Sequence, residues 1–349
     1  MLKKKVSVVI PVYQVSDCVE RCITSVMAQT YQDIECILVD DATKDDSIDK
    51  CERLIAEYSG RIKFEILHHE ENKGLSAARN TGIKVATGDF VFFLDSDDEI
   101  TSECIENLMT LAQKYPDAEI VVGNTLVVKD GSPERVWIKE ETPELICPNE
   151  TIVDYYHKRA IPNAAWNKLI KRSFIEKHSL YFEEGIIHED ILWMFYVVKY
   201  LPVVALVKEV TSFYHIRRGS ISTSTDEYTE GRDYGFIYGD MLHHLTSGRE
   251  NKELNRYVND FCKCYLKHKA MIPAYKDLHR RYAKSAWRYG CWYVYMVLII
   301  VAVISRLGNP MGILKRINMV RRLMKGKRIN YSKNCNLKIY NYVCSLSLA

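Results

Sequence analysis

Two hydrophobic periods alternate along the first 130 residues. Val6 to Val12 is a continuous, largely β-branched run, the pattern of a strand covered on both faces. Val19, Ile23, Val26 and Met27 then fall on one helical face, with Asp17 as a plausible N-cap. Ile34 to Val39 predicts a second strand, and Asp46 opens a helix carrying Ile48, Cys51, Leu54, Ile55 and Tyr58. Ile62 to Leu67 predicts a third strand, Leu75 to Ala86 an Ala-rich helix, and Phe90 to Leu94 a fourth, fully apolar strand. Thr101 or Ser102 caps the next helix, which Pro116 stops, and Ile120 to Val128 predicts a fifth strand. Strands alternating with helices of this length imply a doubly wound, mostly parallel α/β sheet.

The pattern weakens after that point. Gly131 to Pro148 is polar and Pro-containing and reads as a loop or boundary, with a helix expected again from Glu189 to Tyr200. From 226 onward the periods are helical up to about Ile304, and a basic tail follows. Three regions result: 1–130, 131–225, and a helical, basic 226–349.

Composition sharpens this outline in two places. The net charge of the 349 residues is only +3, yet the last acidic residue is Asp277, and Arg280, Arg281, Lys284, Arg288 and ten later Lys and Arg stand beyond it. Such a one-signed block fits an anionic surface, membrane or nucleic acid. The eleven Cys show no CxxC or metal-ligand spacing, as expected of thiols packed as small hydrophobes in a reducing compartment. Lys3 to Lys5 precede an apolar run that Pro11 interrupts, with no small-residue cleavage site after it, so no signal peptide is expected and the N-terminal part is expected in the cytoplasm.

The candidate chemistry lies at strand ends, where open parallel sheets bind ligands. The first strand ends in Pro11-Val12-Tyr13, the second in Asp40-Asp41, and the fourth in Asp95-Ser96-Asp97-Asp98. So many carboxylates in one crevice call for a cation, and Asp-x-Asp suits a hard divalent ion such as Mn²⁺ or Mg²⁺ that leaves positions for phosphate oxygens. There is no GxGxxG after the first strand and no GxxxxGK[ST] loop.

These segments, with Asn72-Lys73-Gly74-Leu75-Ser76-Ala77-Ala78-Arg79-Asn80-Thr81-Gly82, Trp166-Asn167-Lys168-Leu169, His188-Glu189-Asp190 and Tyr214 to Ser222, occur in an order that resembles the family 2 glycosyltransferases, inverting enzymes of the GT-A fold. The resemblance spans roughly residues 5 to 225 and implies roles. Pro11, Tyr13 and Asp41 would hold base and ribose, Arg79 would lie near base or diphosphate, and Asp95 and Ser96 would complete the nucleotide-sugar site. Asp97, with Asp95 and possible help from His215, would hold the metal; His215 could equally meet diphosphate or be structural. Trp166 would stack on the acceptor sugar or pack in the core, and Glu189 would sit on the acceptor side. Asp190 would be the catalytic base, and its place in the first turn of a helix favours an ionised carboxylate.

The function so implied is transfer of a sugar from a nucleotide-sugar, UDP by family habit, to a hydroxyl of a glycan or lipid-linked glycan, in bacterial surface-polysaccharide synthesis. A catalytically silent nucleotide-sugar-binding module is the competing reading, which retention of both the Asp-x-Asp and the Glu-Asp pair opposes. Nucleic acid is not an expected partner, because the basic tail lacks interleaved recognition motifs. The uncharged, aromatic-rich stretch 289–304 is short for a membrane span, which needs about 20 residues. It is either a buried helix or a helix lying in the membrane interface, which would make the enzyme peripheral at the inner face of the cell membrane.

Overall fold

The computed structural model describes residues 4–217, 225–245, 257, 261–262, 264–265, 267–268, 274–288 and 292–304. The chain divides into two compact units, Met1–Gly248 and Arg249–Ala349. The basic tail beyond Ile304, residues 218–224 and the start of the 289–304 stretch lie outside the described residues.

The first unit is built on one ten-stranded mixed sheet. Its strands are β1 (Val6–Val12), β2 (Ile34–Asp40), β3 (Lys63–His68), β4 (Phe90–Phe93), β5 (Glu99–Ile100), β6 (Ile120–Lys129), β7 (Ser132–Val136), β8 (Leu145–Ile146), β9 (Lys168–Lys171) and β10 (Val204–Ile216). They run in the order β3-β2-β1-β4-β9-β6-β10-β5, with β7 paired to β6 and β8 to β10. β1 is buried throughout because it lies between β2 and β4, both parallel to it. Its alternate side chains divide between two cores. Val6, Val8, Ile10 and Val12 face the layer of α1 (Val19–Met27), α2 (Ser47–Glu57) and α4 (Cys104–Lys114). Val9 faces the layer of α3 (Leu75–Val85), α5 (Asn149–His157), α6 (Arg172–His178) and α7 (Glu189–Tyr200). Full burial of each such aliphatic side chain is worth roughly 1.5–3 kcal/mol. The α3 backbone approaches β1 so closely that a Cβ on Gly82 would lie 2.2 Å from Val9 Cγ1.

Several details depart from the sequence expectation. β9 is antiparallel to both β4 and β6, so β6 runs in the same direction as β4 but one strand removed. The expected loop 131–148 contains β7 and β8. Asp130 and Gly131 both adopt positive φ (49° and 75°), the tight hairpin geometry that Asp-Gly favours. β7 is exposed throughout and mostly polar, so no hydrophobic alternation marks it. The expected N-caps are displaced: Cys18, not Asp17, precedes α1, and Glu103, not Thr101 or Ser102, precedes α4. Helix α8 (Glu227–Leu245) belongs to the first unit, so the chain divides later than 226.

In the second unit, α9 (Ala274–Arg288) buries Tyr275, Leu278, His279, Tyr282 and Ala286 at helical spacing, with Phe261 stacked 4.2 Å from the Tyr282 ring. Its opposite face exposes Lys276, Arg280, Arg281 and Lys284. α10 (Trp292–Ile304) is apolar. Among the described residues, no helix is long and apolar enough to cross a membrane.

Candidate active site

The ends of β1, β2 and β4 open on one edge of the sheet, and the polar residues there fall into two groups. The first surrounds Asp41, which is 3 % exposed. Its carboxylate accepts the backbone N–H groups of Lys73 and Gly74, both at 2.8 Å, and bonds His69 Nδ1 at 2.7 Å. His69 Nε2 in turn meets Thr81 Oγ1 at 2.9 Å. Asp41 therefore fastens the turn that leads into α3, where Gly74 needs a φ of 88°. Pro11 is buried within β1 opposite Val39, and Tyr13 lies exposed just beyond the strand.

The second group is centred on Arg79, in the first half of α3 and 2 % exposed. Its Nη2 donates to Asp95 Oδ1 at 2.7 Å and its Nη1 to Glu189 Oε1 at 2.6 Å, while its guanidinium lies 5.2 Å from the centre of the Phe182 ring. A strand-end carboxylate of the first region and a helix-start carboxylate of the second thus share one cation. The segment before α7 is tied to α3 as well: Asn80 Nδ2 donates to the Phe182 carbonyl, and the Phe182 N–H returns to Asn80 Oδ1. Asp190 follows Glu189 in the first turn of α7, behind His188 at φ 60°. Burial, reinforced by the Glu189 charge and opposed by Arg79, pushes the Asp190 carboxyl up to about 7. Burial also raises Asp95, against the pull of Arg79.

Beyond Asp95 the chain turns back as β5 beside β10, which brings the end of β10 to the acidic turn. Asp97 accepts Arg217 Nε at 2.7 Å on its carboxylate and Arg21 Nη2 at 2.7 Å on its carbonyl. Asp98, 2 % exposed, accepts the His215 N–H at 2.9 Å on Oδ1, while its Oδ2 has no hydrogen-bond partner among the described residues. Burial, with Asp97 and Asp95 nearby, holds the Asp98 carboxyl well above the usual range. Ser96 is 6 % exposed. The imidazole of His215 points to Glu99, Nε2 to Oε1 at 2.8 Å. A cleft of about 440 Å³ adjoins this turn, lined in part by Asp17, Cys18, Arg21, His215 and Arg217.

Asp95 and Asp97 share one turn, which the His215 backbone meets through Asp98, but the side chains of all three are engaged elsewhere: Asp95 by Arg79, Asp97 by Arg217 and His215 by Glu99. Among the described residues, no three His, Cys, Asp or Glu side chains converge on one point. The donor types, carboxylate oxygens with an orphaned Asp98 oxygen beside them, fit a hard divalent ion, provided Arg217 releases Asp97. Trp166 is 8 % exposed and stacks on Tyr214 at 5.5 Å and 16°, with Trp137 5.3 Å away. Sequence reasoning gave no role to Arg21, His69, Lys168, Trp137 or Arg217. Lys168 did carry a signal, a lone charge in the mostly apolar run from Ala164 to Ile170, and Arg217 lies in the Tyr214 to Ser222 segment, whereas nothing local marked Arg21.

The profile of "Glycosyl transferase family 2" matches residues 7–179. The chain is 31 % identical over 229 residues to glycosyltransferase GlyA of Streptococcus pneumoniae serotype 4, covering 64 % of this chain and 32 % of that protein. It is 34 % identical over 190 residues to glycosyltransferase EpsJ of Bacillus subtilis, covering 52 % of each. The aligned part thus spans from a third to about half of these relatives. The crystal structure of S. aureus TarS residues 1–349 with UDP-GlcNAc superposes with a TM-score of 0.64 at 16 % identity, over 80 % of this chain and 81 % of that one, which shows a shared fold.

Proposed function

The chain belongs to glycosyl transferase family 2, and from that premise we propose that it transfers a sugar, with inversion, from a UDP-sugar to a hydroxyl of a glycan or lipid-linked glycan in cell-surface polysaccharide synthesis. One observation carries this reading: Arg79 joins Asp95 of the donor half to Glu189, the neighbour of Asp190, in the acceptor half. Chemistry that needs a donor held on one side and a base on the other finds both at this junction.

In the mechanism, Pro11, Tyr13 and Asp41 border the nucleoside, and Arg79 fixes Asp95, beside Ser96, toward the sugar and diphosphate. Asp97 and Asp95, with His215 turned from Glu99, would hold Mn²⁺ or Mg²⁺, which when bound would offset charge on the leaving diphosphate. Asp190 takes the acceptor hydroxyl proton as that oxygen attacks the anomeric carbon from the face opposite the diphosphate. The raised Asp190 carboxyl suits this step, since a base titrating near neutrality accepts a proton most effectively there. Glu189 and Trp166 line the acceptor side.

Melting temperatures measured with a panel of nucleotide-sugars, with and without Mn²⁺, test the donor class, because a bound donor stabilises by mass action. UDP-sugar hydrolysis should stop in chelator and return with Mn²⁺ or Mg²⁺, and Asp97→Asn should lower it more than Asp95→Asn. Full activity in chelator refutes the metal assignment.

An anionic membrane surface is a proposed partner for the second unit. The exposed Lys276, Arg280, Arg281 and Lys284 of α9, the exposed Trp287 and the apolar α10 support a peripheral, inner-face location. Co-sedimentation of the full chain with vesicles containing phosphatidylglycerol at low salt should detect it; a chain left wholly in the supernatant excludes it.

A further inference from the structure

Lys168 is 1 % exposed and is one of the largest fully buried side chains in the protein. Its Nζ donates to the Ala164 carbonyl, and among the described residues no carboxylate comes within ion-pair distance of it. A buried ammonium held by one carbonyl is costly. Such a lysine is kept in a core where its charge acts on something else.

The sheet register shows which layer it faces. Leu169 packs in the first core with its cross-strand neighbours Phe92 and Val121. Ile170 and its neighbour Ile120 pack in the second, as does Val122, the neighbour of Lys168. Lys168 therefore faces the second layer, the one containing α7. On α7, Trp193, Met194 and Val197 pack into that same layer, and Asp190 precedes them by three, four and seven residues. That spacing places Asp190 at the head of the same helical stripe. Lys168 from the strand and Asp190 from the helix thus enter one layer from opposite sides.

Charge counting shows why this matters. Asp95, Glu189 and Asp190 gather around Arg79, and Arg79 commits its two terminal nitrogens to Asp95 and Glu189. Also near the α7 start are His188, stacked on Tyr234, and Asp233, which accepts the Ile187 N–H and pairs with Arg232. Among the described residues, Asp190 has no ion pair of its own and shares the Arg79 charge with Asp95 and Glu189.

We infer that Lys168 is the positioning residue for the base: its ammonium lies on the strand side of Asp190 and keeps that carboxylate ionised while the acceptor excludes water. Burial pushes the Lys168 ammonium down to about 7, and the Asp190 charge works against that fall. Neither group holds its charge well alone, and each stabilises the charged form of the other. The inference rests on Asp190 being the base. The proton leaving the acceptor goes to Asp190, and Lys168 neither takes nor gives one.

The test is the pH profile of kcat/KM for UDP-glucose and UDP-N-acetylglucosamine hydrolysis by the full chain. Lys168→Met removes the charge at similar volume, and Lys168→Gln keeps a donor for the Ala164 carbonyl without the charge. In both, the acid limb should move up by about one pH unit, the low end of the effect of a nearby opposite charge. That lowers the rate about tenfold near pH 6 and leaves the alkaline plateau within about twofold. Rescue by Gln with an unmoved limb means that Lys168 only braces the 164–168 turn, and overturns the inference. UDP binding by calorimetry verifies that each variant is folded. Asp190→Asn separates the two failures: if it keeps its hydrolysis the base assignment itself is wrong, and if it loses it while both Lys168 variants keep the parental limb, only the role of Lys168 is wrong.

Discussion

The two polar groups at the sheet edge satisfy their carboxylates by different means. Around Asp41 the partners are backbone N–H groups and one imidazole, fixed by the turn into α3. Around Arg79 one guanidinium serves Asp95 and Glu189, with Asp190 beside them. The Asp41 group is closed: its bonds stay within residues 41–81 and need no mobile counter-charge. The Arg79 group carries more negative than positive charge, and its partners come from distant parts of the chain. An arrangement of the first kind shapes a pocket, and one of the second kind can exchange partners as substrate, metal or proton arrives.

The largest expected effect of separating the two is on turnover. Asp190→Asn should lower it by roughly 10²–10⁴-fold with nearly unchanged donor affinity, the usual scale for general acid–base catalysis. Single-turnover rates beside nucleotide binding measure both, and survival within a few-fold makes Asp190 a helix-start carboxylate only. Stability distinguishes the groups next, and urea unfolding reads it. Arg79→Met strands two carboxylates, Asp95 and the buried Glu189, and should cost about 3–5 kcal/mol, as loss of one partner of a buried ion pair does. Asp41→Asn leaves an amide in place of one accepting oxygen and should cost about 1–3 kcal/mol. A larger loss at Asp41 than at Arg79 would reverse the comparison and make the turn into α3 the structural keystone.

How much of this was legible in the sequence follows from the range of each interaction. The run Val6–Val12, the helical stripe from Val19 to Val26 and the apolar Phe90–Phe93 are local patterns, and each became the expected element. The Asp95–Asp98 run identified itself because acids directly after a buried strand have no packing role. Asp130-Gly131 also carried its hairpin signal, but an exposed polar β7 hid the strand that follows.

Sequence alone thus determined the α/β frame, the strand ends that carry the acids, and the order of segments that mark the family. Tertiary structure alone decided that β9 enters antiparallel between β4 and β6, that Arg79 spans 110 positions to reach Glu189, and that Arg217 rather than a third acid meets Asp97. It also decided that Lys168 faces the layer that holds α7, which strand register fixes. The physical reason is the same in each case. Periodicity and turn chemistry act over a few residues and are written locally, whereas the pairing of a buried charge is fixed only when distant segments compete for the same low-dielectric space.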